Sequence, residues 1–168
     1  MNADIPRWND NYRVTEVPIF DCEHFNVEQA RRQFSVFDDF SPLDSINAYA
    51  VVLDANARIF YLNDNVCQLL KVSLDDVFKS HWIEDFIPID QHLEMQQLFR
   101  AAMGGITEPF LHYVNDVQDR YGDIHSLFWL NKFIYDGIGR VIGSVSLGFD
   151  STELNSGLTL NIPLDLNA

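Results

Sequence analysis

Aspartate and glutamate, the side chains that most often perform acid–base chemistry, occur in this sequence as adjacent pairs. Three such pairs are Asp38-Asp39, Asp75-Asp76 and Glu84-Asp85. A general acid and a general base must converge on one substrate, whereas neighbouring side chains diverge, so the pairs indicate helix capping and solubility. The G-x-S-x-G, H-E-x-x-H, Walker and dinucleotide-binding motifs are absent from the sequence. We therefore expect no catalytic activity from this chain.

Cysteine and histidine, which bind metals or act as nucleophiles, are few and do not cluster. Cys22 and Cys67 lie far apart and form no C-x-x-C pair, so we interpret them as idle or buried thiols. His81, His112 and His125 have no metal-ligand spacing and are interpreted as surface or sheet residues. The sequence predicts no metal centre.

Hydrophobic periodicity predicts the elements that would position a site. Residues 24–40 repeat apolar side chains at helical spacing, and Ser41-Pro42 ends this amphipathic helix. The pattern then predicts an ordered series: strands at 49–53 and 58–62, short helices, a long helix at 91–103, and strands at 110–118, 124–135 and 140–149. This order implies an α+β fold in which helices cover one face of a five-stranded antiparallel sheet.

The same pattern divides the chain into three parts. Residues 1–44 are predicted to form an N-terminal extension that contains the flanking helix, 45–153 the compact domain, and 154–168 a tail or linker. Within the domain, Asn63 or Asp64 can cap one short helix, and Ser73 with Asp76 forms a capping box for the next. These signals place the first helices directly after the first hairpin.

Composition limits the classes of partner. The chain has 168 residues, of which 47% are hydrophobic, and a formal net charge of −14, so a packed core is expected. The charge disfavours nucleic acid and anionic membrane surfaces. No apolar run is long enough to span a bilayer, and Met1 to Asp10 lacks the apolar core of a secretory signal. We expect a cytoplasmic protein that binds neither nucleic acid nor membrane.

Five segments resemble the PAS family in their order and spacing. They are Val52-Leu53-Asp54 with Ile59-Phe60-Tyr61-Leu62-Asn63, His81 to Pro88, Arg120 to Asp123, Gly139 to Gly143, and Asp150 to Glu153. The resemblance covers about residues 45–153 and implies the PAS fold, with a role as a sensory or dimerisation module. Ala57 stands where the family usually has glycine, so we expect a tighter or shifted turn there.

The resemblance also allows the flavin-binding branch of the family to be tested. Its reactive cysteine corresponds to Trp82, its flavin-binding asparagines to Val117 and Leu127, and its glutamine to Gly148. Without the thiol no photoadduct can form, and without the amides the polar edge of the flavin would face apolar walls. The residues argue against a flavin cofactor.

Haem is the second cofactor that some relatives carry, through a histidine on the long helix. His92 lies near the start of that helix but outside its apolar stripe of Met95, Leu98 and Phe99. Glu94 falls nearer the ligating position. We therefore interpret His92 as an exposed helix residue and do not favour haem, but a haem-binding PAS sensor stays open as an alternative function, and the identity of any cofactor stays unknown.

Strand alternation predicts a cavity between the sheet and the helices. If Val117 and Leu127 point inward, every second residue along these strands does so too. The candidate ligand-binding residues are Trp82, Met95, Phe99, Val117, Leu127, Trp129, Asn131, Ser144 and Ser146. Small residues opposite two indoles leave room for a modest apolar ligand. Two alternatives stay open: a ligand-free assembly module whose tryptophans fill the space, and an enzyme resembling ketosteroid isomerase, which would need an inward-facing carboxylate or histidine.

The opposite face of the sheet is apolar as well and must be covered. It carries Phe128, Leu130, Ile134, Val145, Leu147 and Phe149. Phe34 and Phe37 of the flanking helix, or a second copy of the domain, could cover it. Because each buried side chain contributes about 1.5–3 kcal/mol, we predict a homodimer through this face.

The resemblance finally implies how a signal would leave the domain. Asp150 and Thr152 match the family's Asp-x-Thr pattern, which marks the exit to a following effector. The sequence thus predicts a sensory module for signal transduction, which binds a small ligand or a protein partner and acts through dimerisation. Its partner would be a downstream effector domain or a separate signalling protein.

Overall fold

The computed structural model describes residues 41–154. The predicted flanking helix at 24–40, with Phe34 and Phe37, lies outside the described residues, as does most of the predicted tail. None of the helices within residues 41–154 is long and apolar enough to cross a membrane.

Six helices and five strands form this part of the chain. They follow one another as α1 (Ser41–Asp44), β1 (Tyr49–Asp54), β2 (Ile59–Leu62), α2 (Asp64–Leu70), α3 (Leu74–Val77), α4 (Trp82–Phe86), α5 (His92–Met103), β3 (His112–Gln118), β4 (Ile124–Tyr135), β5 (Val141–Asp150) and α6 (Ser151–Leu154). Short 3-10 turns at Ile89–Gln91 and Glu108–Phe110 flank α5. The predicted order of strands and helices is confirmed.

The five strands form one antiparallel sheet in the order β2-β1-β5-β4-β3. Because the first hairpin pairs with the last strand, the two ends of the domain meet at the centre of the sheet. The predicted α+β class and PAS-like sheet are therefore confirmed.

Alternating side chains along the strands separate two apolar clusters. The inner face, which the helices α2 to α5 cover, includes Val51, Leu127, Trp129 and Phe133. The outer face includes Ala50, Val52, Ile134, Val145, Leu147 and Phe149, with Leu43 of α1 packed against it. The sheet is therefore apolar on both sides, as the sequence predicts.

The first hairpin turn accommodates the alanine that replaces the family's glycine. Ala57 adopts a left-handed backbone with φ of 59°, a conformation that glycine adopts more readily. The Asp54 carboxylate accepts hydrogen bonds from the backbone N–H groups of Asn56 and Arg58, at 2.8 and 2.9 Å. Next to the turn, the pairing of β1 with β2 shifts register between Val52 and Leu53.

The Asn63 side chain links the first hairpin to the neighbouring segments through hydrogen bonds. Its Oδ1 accepts from the backbone N–H groups of Ala50 and Val66, and its Nδ2 donates to the carbonyls of Leu43 and Ala48. Of the two capping residues that the sequence left open, Asn63 is thus the N-cap of α2. The next helix, α3, begins with the predicted cap, since the side chain of residue 73 accepts from the backbone N–H of residue 76.

Candidate functional site

A small cavity lies between the inner face of the sheet and the helices α4 and α5. Its wall consists of Val51, Leu53, Trp82, Ile83, Met95, Phe99, Phe110, Tyr113, Asn115, Trp129, Asn131 and Ser146. The free volume is about 20 Å³. A cavity needs roughly 10–15 Å³ to hold one water molecule, so in this conformation only one fits.

Two indoles pack against each other between the helices and the sheet. Trp82 of α4 meets Trp129 of β4 edge to face, with ring centroids 6.1 Å apart and planes at 89°. The Trp129 ring also lies directly on Gly148 of β5, where an added Cβ would come within 2.6 Å of the ring. Gly148, which corresponds to the glutamine of the flavin-binding branch, thus leaves the space that the indole occupies.

The polar end of Trp129 is anchored by an amide. Its indole N–H donates to Asn115 Oδ1 at 2.7 Å, and both residues are buried. Among residues 41–154, Asn115 Nδ2 in turn has only the sulfur of Met95 as acceptor, at 3.3 Å. Because a thioether is a weak acceptor, this amide has donor capacity to spare.

Asn131 and Ser146 place two further polar groups in the wall. Asn131 Nδ2 donates to the Phe110 carbonyl at 2.5 Å. Within the described residues, neither Asn131 Oδ1 nor Ser146 Oγ has a hydrogen-bond partner, although the residues are only 4% and 7% exposed. Polar atoms of such buried residues are normally paired, so these two atoms suit a water or ligand group bound in the cavity.

Polar side chains close the rim of the cavity between α5 and the edge strand β3. Gln91 donates to the Asp116 carboxylate at 2.8 Å and accepts from the Asp116 backbone N–H at 3.1 Å. The Tyr113 hydroxyl donates to the Glu94 carboxylate at 2.6 Å. Burial, together with this bond, raises the pKa of Tyr113 to about 12, so the hydroxyl keeps its proton at neutral pH.

Residues 43–155 match a family model described as the PAS fold. The chain belongs to the PAS family. No curated protein matches its sequence.

Solved PAS domains share the fold of this chain. The PAS domain of the RpfR quorum-sensing receptor from Cronobacter turicensis, in complex with C12:0, is 16% identical (TM-score 0.52) over 64% of this chain and 96% of its own. A PAS domain from Colwellia psychrerythraea is 15% identical (TM-score 0.55) over 76% and 99%. The Vibrio cholerae VqmA dimer is 18% identical (TM-score 0.54) over 70% and 53%. At these identities the likeness shows the fold alone. It is the family match that makes the chain a PAS sensory domain.

The structure brings six of the predicted ligand-binding residues to the cavity of this PAS domain, namely Trp82, Met95, Phe99, Trp129, Asn131 and Ser146. The other three lie on the inner face but not in the cavity wall. The cavity spans the middle of the sheet, whereas Val117 and Leu127 lie towards the β3–β4 turn and Ser144 pairs with Phe133 at the other end. These three residues therefore do not line this cavity, and a contact between them and a ligand stays a prediction.

Sequence reasoning missed half of the wall. Asn115 is the most informative omission, because it holds Trp129 and lies two residues before Val117, on the same face. The strand alternation that identified Val117 as inward-facing would also have identified Asn115. Phe110 and Tyr113 follow α5, and their positions depend on how that helix folds back onto the sheet.

The residues with acid–base or metal chemistry do not converge on the cavity. His92 Nε2 lies 2.7 Å from the carbonyl of Ile87 at the start of α5, and His92 is half-buried rather than exposed. Asp85 accepts from the backbone N–H of His81 at the start of α4. Across residues 41–154, no three His, Cys, Asp or Glu side chains form a group that could hold a metal ion.

An ion-pair cluster lies on the turn between β3 and β4. The buried Asp119 carboxylate accepts from Lys71 Nζ at 2.6 Å, and His125 Nε2 lies 3.4 Å from it. Lys71 also reaches Asp123 at 3.1 Å. The hydrogen bond from Lys71, with two from backbone N–H groups, holds the pKa of Asp119 well below its usual range. The cluster fastens α2 to this turn, away from the cavity.

The predicted outer-face residues divide into two groups. Ile134, Val145, Leu147 and Phe149 are buried, with 2% to 7% of their surface exposed. Phe128 and Leu130 are half-buried, and the face continues from Phe128 onto its strand partner Val114, which is 55% exposed. The accessible apolar surface therefore lies at the β3 edge rather than over β5.

The predicted signal exit lies where β5 ends. Asp150 Oδ1 accepts hydrogen bonds from the backbone N–H and the hydroxyl of Thr152, at 2.8 and 2.6 Å. These bonds lower the pKa of Asp150. Asp150 and Gly148 also line an open, polar cleft of about 390 Å³. Gly148 therefore contacts Trp129 at the cavity and lies two residues from the exit.

Proposed function

We propose that this PAS domain senses a small molecule that enters the inner cavity. The observation that carries the proposal is the pair of unpaired polar atoms on two buried residues, Asn131 Oδ1 and Ser146 Oγ, in an otherwise mostly apolar wall. A wall with a few polar groups among apolar and aromatic side chains is typical of ligand sites. Two of the structural neighbours support it, the RpfR receptor PAS domain in complex with C12:0 and VqmA bound to DPO.

A ligand larger than a water molecule must displace protein side chains, since the free volume is about 20 Å³. Displacement of the Trp129 side chain would affect the backbone of β5. It pairs in register with Gly148 and lies on its backbone, and Asp150 follows two residues later. Movement of this indole would therefore alter β5 next to the signal exit, and the ligand shifts the equilibrium by its differential affinity for the two arrangements.

The sensing role is tested by native mass spectrometry and an absorption spectrum. The protein is purified gently, incubated with a small-molecule extract of its natural cells, and compared with Ser146→Leu, which fills the cavity. We expect an added mass on the natural protein and none on the variant, with Ser126→Leu, at an exposed position, as the control. A natural protein without added mass, whose melting temperature the extract leaves unchanged, would contradict the proposal.

A ligand-free assembly module is the second candidate, because the two indoles already fill the space between helices and sheet. In that case Trp82 and Trp129 act only as core residues. The extract experiment separates the two functions, since an assembly module gains no mass from small molecules.

We further propose that the domain forms a homodimer through the accessible part of the outer face. The patch consists of Val114 and Ile124, both more than half exposed, next to the half-buried Phe128. Large apolar side chains grouped on one face favour a partner surface, and a second copy offers the same patch. An effector, whether another domain or a separate protein, would then read the arrangement of the dimer.

Analytical ultracentrifugation at tens of micromolar tests this assembly. We expect a dimer that Val114→Lys converts to a monomer, whereas Ile138→Lys, on an exposed turn between β4 and β5, leaves it intact. A natural protein that sediments as a monomer, or equal effects of the two lysines, would contradict the dimer.

A further inference from the structure

We propose that the inner cavity selects a small uncharged ligand with an amide-like group, whose N–H binds Asn131 and whose carbonyl binds Ser146. The proposal rests on the ligand-binding role proposed above and adds the chemical class of the ligand. It follows from the charge of the wall, the packing of the aromatic rings and the positions of the two free polar atoms.

The charge of the wall disfavours an anion. Among the described residues, every side chain that lines the cavity is uncharged at neutral pH. The charged group bonded to the wall is Glu94, an anion that accepts from the Tyr113 hydroxyl at the rim. A buried carboxylate would lose its hydration without a cation to replace it, in a protein whose net charge is already −14.

A cation gains little from the aromatic wall. Ring faces attract an ammonium group when they are free to meet it. Here the rings pack on one another, since Trp82 meets Trp129 at 6.1 Å and Phe99 meets Phe110 at 6.1 Å. No carboxylate lies in the wall within residues 41–154 to pair with the cation, so an uncharged molecule is favoured.

The two free polar atoms define the hydrogen bonds of the ligand. Asn131 and Ser146 face each other as register partners on β4 and β5, which places their side chains side by side. Because the Asn131 amide donates its Nδ2 to the Phe110 carbonyl, its Oδ1 is left as an acceptor. The Ser146 hydroxyl can donate. An acceptor beside a donor matches the N–H and C=O of one amide.

Benzamide and benzoate test this selectivity, because they share a shape and differ in charge and in the donor. Each is titrated near pH 7 into isotopically labelled protein, and the indole N–H signal of Trp129 is followed by NMR. We expect saturable binding of benzamide with a dissociation constant at least about tenfold below that of benzoate. Ser146→Ala should weaken benzamide binding about threefold to tenfold, the loss expected of one hydrogen bond. The exposed Ser126→Ala is the matched control and should change nothing.

The outcomes separate the ligand class from the sensing role. If benzoate binds the cavity as tightly as benzamide, or if Ser146→Ala leaves benzamide binding unchanged, the ligand class is wrong and the sensing role stands. If benzamide does not bind, the ligand class is again wrong, and the extract experiment decides the sensing role separately. An extract ligand that carries a carboxylate overturns the class by itself.

Discussion

Replacing Asn63 by alanine should remove a buried hydrogen-bond network that joins the first hairpin to the rest of the domain. Asn63 is fully buried and makes four hydrogen bonds, at 2.9 to 3.2 Å, to the backbone of Leu43, Ala48, Ala50 and Val66. A hydrogen bond contributes about 1 kcal/mol net, and the backbone groups left behind are shielded from water, so we expect a loss of about 4 kcal/mol. That is a large part of the roughly 5–15 kcal/mol that stabilises a typical domain.

Urea unfolding, followed by tryptophan fluorescence, measures this loss. With a slope of about 2 kcal/mol per molar urea, the Asn63→Ala midpoint should fall by about 2 M. Asn65→Ala is the control, because Asn65 is half-buried and donates only to the carbonyls of Ile46 and Ala48. Water can replace its bonds, so its cost should stay near or below about 1 kcal/mol. If Asn63→Ala lowers the free energy of unfolding by less than about 1 kcal/mol, the reasoning is refuted.

Asn63→Asp separates the two halves of the network. It keeps the acceptor for Ala50 and Val66 but turns a carboxylate oxygen towards the carbonyls of Leu43 and Ala48, which raises the pKa of the new side chain. A raised pKa in the folded state makes the penalty grow as pH rises above about 4 and shrink as pH falls. The variant should therefore gain stability relative to the natural protein between pH 7 and pH 4, and a constant difference would show that the donor side is unimportant.

Three further predictions concern single side chains. Gly148→Ala should displace the Trp129 ring, because the added Cβ would come within 2.6 Å of it. The free energy of unfolding should fall by about 1–3 kcal/mol, and the tryptophan emission should shift. Unchanged emission would contradict the close packing. Asp119→Asn should be less stable than the natural protein at pH 7. Because Lys71 holds the pKa of folded Asp119 below its unfolded value, acid protonates this carboxylate in the unfolded chain first, so the difference in urea midpoint should shrink from pH 5 to pH 3. A gap that widens in acid would contradict this. Ser144→Ala should keep or raise the melting temperature, since the buried hydroxyl has no hydrogen-bond partner in residues 41–154; a clear loss would reveal a partner.

Local patterns were sufficient for the elements and for the faces of the strands. A strand reverses its side chains at every residue, so one assignment on β4 placed Trp129 and Asn131 inside and Phe128 outside. The capping residue Ser73 could also be predicted, because its bond spans three residues of the same chain segment. Resemblance to known segments then supplied the PAS fold, which periodicity alone does not determine, whereas the order of the strands in the sheet came from the structure.

Tertiary structure decided the partners and the free space. Asn115 and Trp129, or Lys71 and Asp119, are separated by 14 and 48 residues, and no local pattern joins them. Whether two tryptophans fill a cavity or leave room depends on the angle and contact of their rings, here 89° and 6.1 Å. In a close-packed core, displacements of a few tenths of an ångström decide whether a cavity exists, and only the assembled chain determines such distances.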